Sequence, residues 1–345
     1  MFTGIDLSSD TATRPSIAMK TAMMNALLGD EQRSEDPTTL QLEKLVADMF
    51  GFECALFLPS ATMANEIAIT TLCNPGEVLL ASESCHLFLA ECGGPAVHAR
   101  VLCRPIPTET GIFTPDDIAH YNYWLKGYHH PKLKLIGIEN TTNFGGGIPW
   151  SKHELNAVVE YAKKMDIHLH LDGSRIFNAS TRTKLSVKEI CTGFDMVTVC
   201  LSKGLGCPTG ALLIVNKKHY STVRHLKHLM GGAMRQSGIL AAAGIYALEN
   251  NISRLQEDHL NAASFAEKLS QFNSHIKVVN QSPETNIVLF DWISNQISLD
   301  EFNNQCLKNK VRFSQIGKNR FRAVTHLDVT RDDILTAIKV IKSFL

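Results

Sequence analysis

The sequence has no surplus of charge and no long apolar run. Its 345 residues include 34 lysines and arginines and 34 aspartates and glutamates, so the formal net charge is zero. Binding to nucleic-acid phosphates or to anionic lipids needs an excess of cations, so neither partner is predicted. No window approaches the ~20 uninterrupted apolar residues of a spanning helix. We therefore expect a globular protein with neither a nucleic-acid nor a membrane partner.

Paired cysteine motifs and a secretion signal are also missing. The nine cysteines are an odd number, and no two have the spacing Cys-x-x-Cys. The first residues, MFTGID, lack the basic and then apolar order of a signal peptide. Scattered cysteines without a signal are typical of reduced thiols in a cytosol-like compartment, so we expect a cytoplasmic protein.

Several motifs of nucleotide, metal and hydrolase sites are absent. The chain contains no Walker sequence, no GxGxxG, no HExxH and no GxSxG. These absences disfavour a nucleotide fold, a zinc protease and a serine hydrolase. His168 and His170 share one face of a predicted strand, but no third ligand has suitable spacing. We expect them to be packing residues, and no metal site is predicted.

The order of apolar runs and amphipathic stretches predicts an α/β fold. Strands that alternate with helices form a mostly parallel sheet covered by helices. After about Gly238 the pattern changes to helices with two weak strands, which indicates a smaller α+β domain. We place a large domain at 1–248, including the N-terminal segment, and a small one at 249–345. The predicted strands are 55–58, 77–81, 133–139, 167–171, 196–201, 211–215, 286–291 and 320–325, and the predicted helices are 64–72, 151–165, 239–248, 254–269, 300–309 and 330–344.

An acid and an amine follow two neighbouring predicted strands. Asp172 comes directly after the strand ending at Leu171, and Lys203 lies in a Gly-rich turn after Leu201. The chemistry of parallel sheets sits beyond the carboxyl ends of the strands. A partly desolvated lysine is a good nucleophile for a Schiff base, and pyridoxal 5′-phosphate (PLP) needs that lysine and a carboxylate facing its ring nitrogen. The alternative is a solvated lysine in an ordinary Gly-Lys turn.

Nine segments together resemble one enzyme family. They are DLSSDTATRP (6–15), EDPT (35–38), FLPSATMAN (57–65), ENT (139–141), HLDGSRIFNA (170–179), LSKGLG (201–206), MRQSGILAAA (234–243), RLQEDH (254–259) and VTHLD (324–328). In this order they resemble the low-specificity L-threonine aldolases, fold-type-I PLP enzymes related to aspartate aminotransferase and the β-eliminating lyases. The resemblance covers nearly the whole chain and implies an aspartate aminotransferase-like large domain.

The resemblance implies which residues hold the cofactor. Lys203 would form the Schiff base, Asp172 would pair with the pyridine nitrogen, and His86 would stack on the ring. The remaining cofactor contacts are implied to be Arg175 near the phenolic oxygen, and Ala61, Thr62 and Arg235 around the phosphate, with Arg235 belonging to a loop that can come from a neighbouring subunit. A helix N-terminus at Ala61 also suits a phosphate physically.

The resemblance also implies a substrate and a reaction. Ser9, Arg175 and Arg322 would hold the substrate carboxylate, for which an arginine fork has the right geometry. The reaction would be retro-aldol cleavage of L-threonine or L-allo-threonine to glycine and an aldehyde. His86 or His129 would take the proton from the β-hydroxyl, since histidine titrates near working pH. Sequence does not choose between the two.

Two other functions stay open at this stage. A PLP enzyme with these residues could instead be a β-eliminating lyase, or an aldolase for a bulkier substrate such as phenylserine. A catalytically silent relative that acts as a binding subunit is disfavoured because Lys203 and Asp172 are both present. The resemblance further implies a homo-oligomer, commonly a tetramer. Departures from the family pattern are Ser8, Arg33, Ala61, Ala90 and His228, and of these Ser8, Arg33 and Ala90 bear on the substrate pocket or the subunit boundary.

Overall fold

The computed structural model describes residues 2–123 and 127–345. The strands in this part of the chain are β1 (Ile5–Asp6), β2 (Cys54–Leu58), β3 (Val78–Ser82), β4 (Leu102–Ile106), β5 (Leu133–Glu139), β6 (His168–Gly173), β7 (Met196–Cys200), β8 (Ala211–Val215), β9 (Ile276–Val278), β10 (Ile287–Trp292), β11 (Val311–Arg312), β12 (Ser314–Gln315) and β13 (Arg320–Val324). The α-helices are α1 (Ile17–Met24), α2 (Pro37–Phe50), α3 (Ala61–Leu72), α4 (His86–Leu89), α5 (Pro115–Tyr123), α6 (Lys152–Met165), α7 (Ile176–Thr183), α8 (Val187–Ile190), α9 (Lys217–Leu229), α10 (Gly238–Asn250), α11 (Leu255–Leu269), α12 (Leu299–Lys308) and α13 (Arg331–Lys342).

A seven-stranded sheet forms the large unit. Its order is β2-β8-β7-β6-β5-β3-β4, and among these strands only β8 runs against its neighbours. Strands β3, β7 and β8 are buried along their whole length, as expected of a sheet covered on both faces. The predicted α/β fold with a mostly parallel sheet is therefore confirmed.

Local sequence signals explain where several elements begin. The predicted N-cap Ser151 accepts a hydrogen bond from the backbone N–H of Glu154, whose side chain accepts one in return from the backbone of Ser151. This capping box starts α6 at Lys152. Ser60 caps α3 in a similar way, because its side chain accepts from Met63 N. Helix α3 therefore begins at Ala61, three residues earlier than predicted, and its first turn is set by the cap.

A second, smaller sheet lies in the C-terminal part. Strands β12, β13, β10 and β9 pair antiparallel in that order, and β1 pairs parallel with β11 beside them. A cluster of buried aromatic rings, which includes Phe290, Phe302 and Phe321, fills the core. The division at residues 248 and 249 stays a prediction. Residues 5–6, which the prediction places with the large domain, pair with β11.

The topology of the large sheet brings polar residues to one edge. Glu139 and Asp172 are register partners at the carboxyl ends of β5 and β6. Asp172 is paired in turn with Thr198 of β7, and Lys203 follows that strand by three residues. The carboxyl end of β5 and the start of Lys203's turn therefore meet at the same edge. Over residues 2–123 and 127–345, no helix has both the length and the apolar character that crossing a membrane requires.

Candidate active site

Asp172 is a buried carboxylate at the carboxyl end of β6. Its Oδ1 accepts from Ser174 N at 3.0 Å, and its Oδ2 accepts from Asn65 Nδ2 at 3.0 Å. Burial alone would raise the pKa of Asp172, but the charges of Lys203 and His86 outweigh burial and hold the pKa below its usual value. Asp172 is therefore an anion at neutral pH, and each of its oxygens can accept a further hydrogen bond.

Asn65 on α3 connects Asp172 to the rest of the cluster. Its amide nitrogen donates to Asp172 Oδ2 and also to Glu91 Oε1 at 2.8 Å. Its Oδ1 lies 3.0 Å from His170 Nε2, while Nδ1 of the same ring lies 3.2 Å from the carbonyl of Met196, and a neutral ring donates to one of these two oxygens. His170 is fully buried, and burial lowers its pKa to about 4, so the ring is neutral. His170, the expected packing residue, therefore also contacts the side-chain amide of Asn65.

His86 begins the short helix α4 and faces the same cluster. Its Nδ1 lies 2.8 Å from Glu91 Oε1, and its side chain is 27% exposed. Burial lowers the pKa of His86, but the hydrogen bond with Glu91 and the charge of Asp172 outweigh burial, and the net pKa is raised. Polar atoms of His86, Glu91 and Asp172 all lie within 4.8 Å of one another. The ring is therefore accessible on one side and tied to a carboxylate on the other.

The charge of Lys203 acts on two buried carboxylates of the site, Asp172 and Asp10. Lys203 is half-buried, and its charge also acts on His86. Its backbone carbonyl accepts from Thr13 Oγ1 at 2.9 Å, which ties the Gly-rich turn to the N-terminal segment. The amine predicted from the turn is thus next to the acid predicted from the neighbouring strand.

The N-terminus of α3 supplies a third feature. Ala61 and Thr62 are half-buried and carry the first backbone N–H groups of the helix, for which the helix has no acceptor. Asn65, which holds Asp172, is four residues further along, a rise of about 6 Å. Helix α3 therefore connects an N-terminus that can bind an anion with the residue that contacts Asp172.

Arg175 and Asp10 form a buried ion pair below the site. The Nε and Nη2 atoms of Arg175 donate to the two carboxylate oxygens of Asp10 at 2.7 and 2.8 Å. Burial would raise the pKa of Asp10, but the charge of Arg175 outweighs burial and holds it well below the usual value. The remaining terminal nitrogen, Nη1, donates to Asn143 Oδ1 at 3.2 Å. Asp10 therefore fixes the fork of Arg175 and neutralises its charge.

Arg322 on β13 reaches the same place from the smaller unit. Its Nη1 donates to Asn143 Oδ1 at 2.6 Å and its Nη2 to the carbonyl of Ser8 at 3.2 Å. Its Nε is buried and has no acceptor among the described residues. Burial and the nearby charge of Arg175 lower the pKa of Arg322 to about 10. Ser9 is half-buried next to Ser8, where its side chain caps a short turn by accepting from Thr11 N.

Two of the predicted site residues do not join this cluster within the chain. His129 is exposed, has its closest ring contact with His130 at 4.1 Å, and precedes β5 at the edge opposite to Glu139. A strand of seven residues rises about 20 Å between these edges. Arg235 is largely exposed and pairs with Asp30 at 3.0 Å. Both residues remain predictions.

Four polar residues of the site had no role assigned from sequence, namely Asp10, Asn65, Glu91 and Asn143. Asp10 and Asn65 are inside segments that resemble the family, but their partners are more than 100 residues away. Glu91 follows His86 by five residues, a spacing that carries no helical signal because α4 ends at Leu89. Only the three-dimensional arrangement identifies these contacts.

The residues present fit PLP. Asp172 is an anion with free acceptor capacity, as a protonated ring nitrogen requires, and Lys203 is the amine beside it. The N–H groups of Ala61 and Thr62 can bind a phosphate about 6 Å away along α3. The accessible side of His86 can cover a ring face. The site therefore has groups for the ring nitrogen, the aldehyde and the phosphate of PLP.

Comparisons with known proteins agree with the resemblance. The sequence model of the beta-eliminating lyase family matches residues 6–294. A protein of Escherichia coli strain K12 named low specificity L-threonine aldolase is 38% identical over 344 residues, which is 99% of each chain. A solved structure of Leishmania major threonine aldolase matches with a TM-score of 0.84, 20% identity and 99% of each chain covered. A structure described as SPT with PLP matches with a TM-score of 0.75 and 16% identity, over 99% of this chain and 87% of that one.

Proposed function

The chain belongs to the beta-eliminating lyase family, and on that premise we propose that it is a PLP-dependent aldolase that cleaves L-threonine and L-allo-threonine to glycine and acetaldehyde. The observation that carries the proposal is the meeting of Lys203, Asp172 and His86 at one sheet edge. An amine, a permanent carboxylate and a histidine base are the groups that this reaction needs.

We assign the cofactor contacts as follows. Lys203 would bind PLP covalently, Asp172 would hold its ring nitrogen protonated, and His86 would cover one ring face. Further contacts would come from Ala61, Thr62 and Arg175, and from Arg235 across a subunit boundary. When bound, PLP supplies an electron sink that stabilises negative charge on the substrate Cα as a bond to it breaks.

The substrate carboxylate would lie against Arg322, Arg175 and Ser9. Arg322 has a buried Nε with no acceptor and no carboxylate partner of its own among the residues described. A buried donor without an acceptor is costly, so an incoming carboxylate is favoured there. Hydrogen bonds to Asn143 and to the backbone of Ser8 fix the guanidinium position before a substrate carboxylate binds.

The proton of the β-hydroxyl would pass to His86. Glu91 fixes the ring through Nδ1 and stabilises its cationic form, which leaves Nε2 as the atom that accepts a proton. As the hydroxyl loses its proton, the oxygen forms the aldehyde and the Cα–Cβ bond breaks. His129 lies at the opposite edge of the sheet in the same chain, so we propose His86 as the base.

The test is a product assay on the purified protein with added PLP. We expect equal amounts of glycine and acetaldehyde from L-threonine and from L-allo-threonine, and a visible absorbance band that Lys203→Ala abolishes. Lys217→Ala, at an exposed position on α9, is the matched control and should change neither. Absence of both the band and the products in the unaltered protein would refute the proposal.

A second reaction is favoured by the description of the matched family, which is named for β-elimination. The same assay separates the two, because β-elimination gives ammonia and a keto acid instead of glycine and an aldehyde. An aldolase for a bulkier substrate such as phenylserine would give glycine and benzaldehyde. Ala90 follows His86 by four residues and is small, which is compatible with a larger side chain near the base.

We further propose that the protein is a cytoplasmic homo-oligomer, commonly a tetramer in this family. Ile17 and Met24 on α1 and Leu27 after it are 84%, 79% and 71% exposed. Large apolar residues exposed together mark protein–protein interfaces. The free cysteines suit a reducing compartment. Sedimentation should give a single oligomer that Ile17→Glu with Leu27→Glu dissociates, and a monomeric unaltered protein would contradict the oligomer.

A further inference from the structure

Glu66 is a buried carboxyl group next to the site that the proposed mechanism does not use. It lies one residue after Asn65 on α3 and is 3% exposed. Neither of its oxygens has a hydrogen-bond donor among the described residues. Gly94 closes the space around it, because a Cβ added at Gly94 would lie 2.2 Å from Glu66 Oε1. Burying such a group is costly unless it finds a partner.

The neighbour that Glu66 faces is Glu91. Oε1 of Glu91 accepts from Asn65 and contacts His86, whereas its Oε2 is buried without a donor. The side chains of Glu66 and Glu91 are within hydrogen-bonding reach of each other. Two carboxylates cannot hydrogen-bond unless one of them carries a proton. A proton held by the pair lets one oxygen of Glu66 donate to Oε2 of Glu91.

The surroundings determine which carboxyl keeps that proton. Burial, together with the charge of Glu91 and the hydrogen bond with it, raises the pKa of Glu66 to about 8. Burial and the charge of Glu66 raise the pKa of the Cys103 thiol on β4, a neighbour that offers no positive charge. Glu91, by contrast, contacts the ring of His86. At neutral pH the proton therefore resides on Glu66 and the negative charge on Glu91.

We propose that Glu66 is a positioning residue that donates a hydrogen bond to Oε2 of Glu91 and so keeps a single negative charge directed at His86. The proposal rests on the proposed function in one respect, since it concerns the base of that reaction. An apolar side chain would fill the space at lower cost. A protonated carboxyl supplies the donor that Oε2 of Glu91 lacks among the described residues.

Infrared spectroscopy of the PLP-loaded full-length protein tests the position of the proton. With ¹³C-labelled glutamate, the spectrum at pH 7 should contain a protonated-carboxyl band that Glu66→Gln removes and that fades as the pH rises through about 8. Burial also raises the pKa of Glu43 and of Glu139 to about 7, so their bands are identified by subtraction. Glu43→Gln is the control, because it must remove a different band. A Glu66→Gln difference spectrum without a lost band overturns the proposal.

The titration of His86 tests the positioning role. Nuclear magnetic resonance of labelled histidines follows it, with the resonance assigned by its loss in His86→Asn. Glu66→Leu leaves Oε2 of Glu91 without a donor, weakens the support that Glu91 gives to the protonated ring, and should move the His86 midpoint down by about one pH unit. Glu66→Gln still donates to Glu91 and should restore the midpoint of the unaltered protein at neutral pH. Overlapping curves for all three proteins would show that Glu66 merely fills space.

Both measurements need no substrate turnover, so they separate this inference from the proposed function. A protein with the carboxyl band and the shifted histidine but no aldehyde product would keep Glu66 in its role and reject the aldolase. An active aldolase without the carboxyl band would support the proposed function and reject the role of Glu66. If Glu66→Leu does not fold, the infrared result with Glu66→Gln still decides the question.

Discussion

Arg175 and Arg322 donate through their Nη1 atoms to the same oxygen, Oδ1 of Asn143, at 3.2 and 2.6 Å. The two guanidinium groups therefore lie close together in a buried place. Arg175 has Asp10 as its counter-ion, whereas Arg322 has no carboxylate partner in the described part of the chain. The positive charge of Arg322 is therefore not neutralised by a salt bridge within the described residues, and a substrate carboxylate can bind to it.

The first prediction concerns that unneutralised charge. Arg322→Ala should lower kcat/KM for L-threonine about 30-fold, because a hydrogen-bonded charge pair contributes about 2 kcal/mol and each 1.4 kcal/mol is tenfold. Arg322→Lys keeps the charge without the fork and should recover part of the loss. Steady-state kinetics provide the measurement. Arg320→Ala is the matched control, since Arg320 is half-exposed and paired with Asp291. Equal effects at 320 and 322 would contradict the assignment.

The second prediction concerns the Arg175–Asp10 pair and protein stability. Asp10→Asn leaves a buried guanidinium without its counter-ion, which should reduce the free energy of unfolding by about 3–5 kcal/mol near pH 7. The measurement is urea unfolding of the PLP-free protein. Asp291→Asn is the control, because it breaks a partly exposed pair with Arg320 and should cost less than about 1 kcal/mol.

The pH dependence of that loss has a definite sign. The pKa of Asp10 is raised by burial but held well below its ordinary 3.8 by Arg175. A depressed carboxyl pKa gives stability that is complete above the unfolded value and disappears as the pH falls toward the folded one. The difference between Asp10→Asn and the unaltered protein should therefore be constant above about pH 5 and shrink below pH 4. A difference that grows with acid would exclude this pair as its source.

The third prediction concerns Glu91 and the pH profile of catalysis. Catalysis needs the neutral form of His86. Because the pKa of His86 is raised, the ring stays protonated to higher pH, and activity should rise as the pH passes the pKa of His86. Glu91→Gln keeps an acceptor for Nδ1 but removes the negative charge that favours the protonated ring, so burial, which lowers the pKa of His86, weighs more. The acid limb of kcat/KM should move about one pH unit lower. Glu83→Gln, at an exposed position before α4, should leave the limb in place. An unshifted limb in Glu91→Gln would mean that His86 is not the titrating base.

Much of the fold followed from local patterns. The predicted bounds of β5 and β8 equal those observed, and the capping box at Ser151 set the start of α6. Strands that are covered on both faces of a sheet are largely apolar runs, so their ends are visible in a sequence. The N-terminal strand was not predicted, because it has two residues and its partner, β11, is some 300 residues away.

Sequence predicted the site residues that lie at strand ends, but not the side-chain partners that hold them. Asp172 and Lys203 could be named because Asp172 lies at the carboxyl end of one apolar strand and Lys203 closely follows another. The pairing of Asp10 with Arg175 could not, since it joins residues 165 positions apart. Glu91 could not be matched to His86, because the chain leaves the helix between them. Side-chain partners that depend on packing between distant segments carry no local signal.

The last prediction decides between the two histidines. His86→Asn should lower kcat by about 100-fold or more, which is the usual contribution of a positioned base. His129→Asn should leave kcat within about twofold, because His129 lies at the opposite sheet edge, and His130→Asn, its ring neighbour, should behave alike. A loss confined to His129→Asn would require that His129 act in the site of another subunit. Mixed oligomers of inactive Lys203→Ala and His129→Asn subunits test that case, since they would regain activity only where an intact His129 meets an intact Lys203.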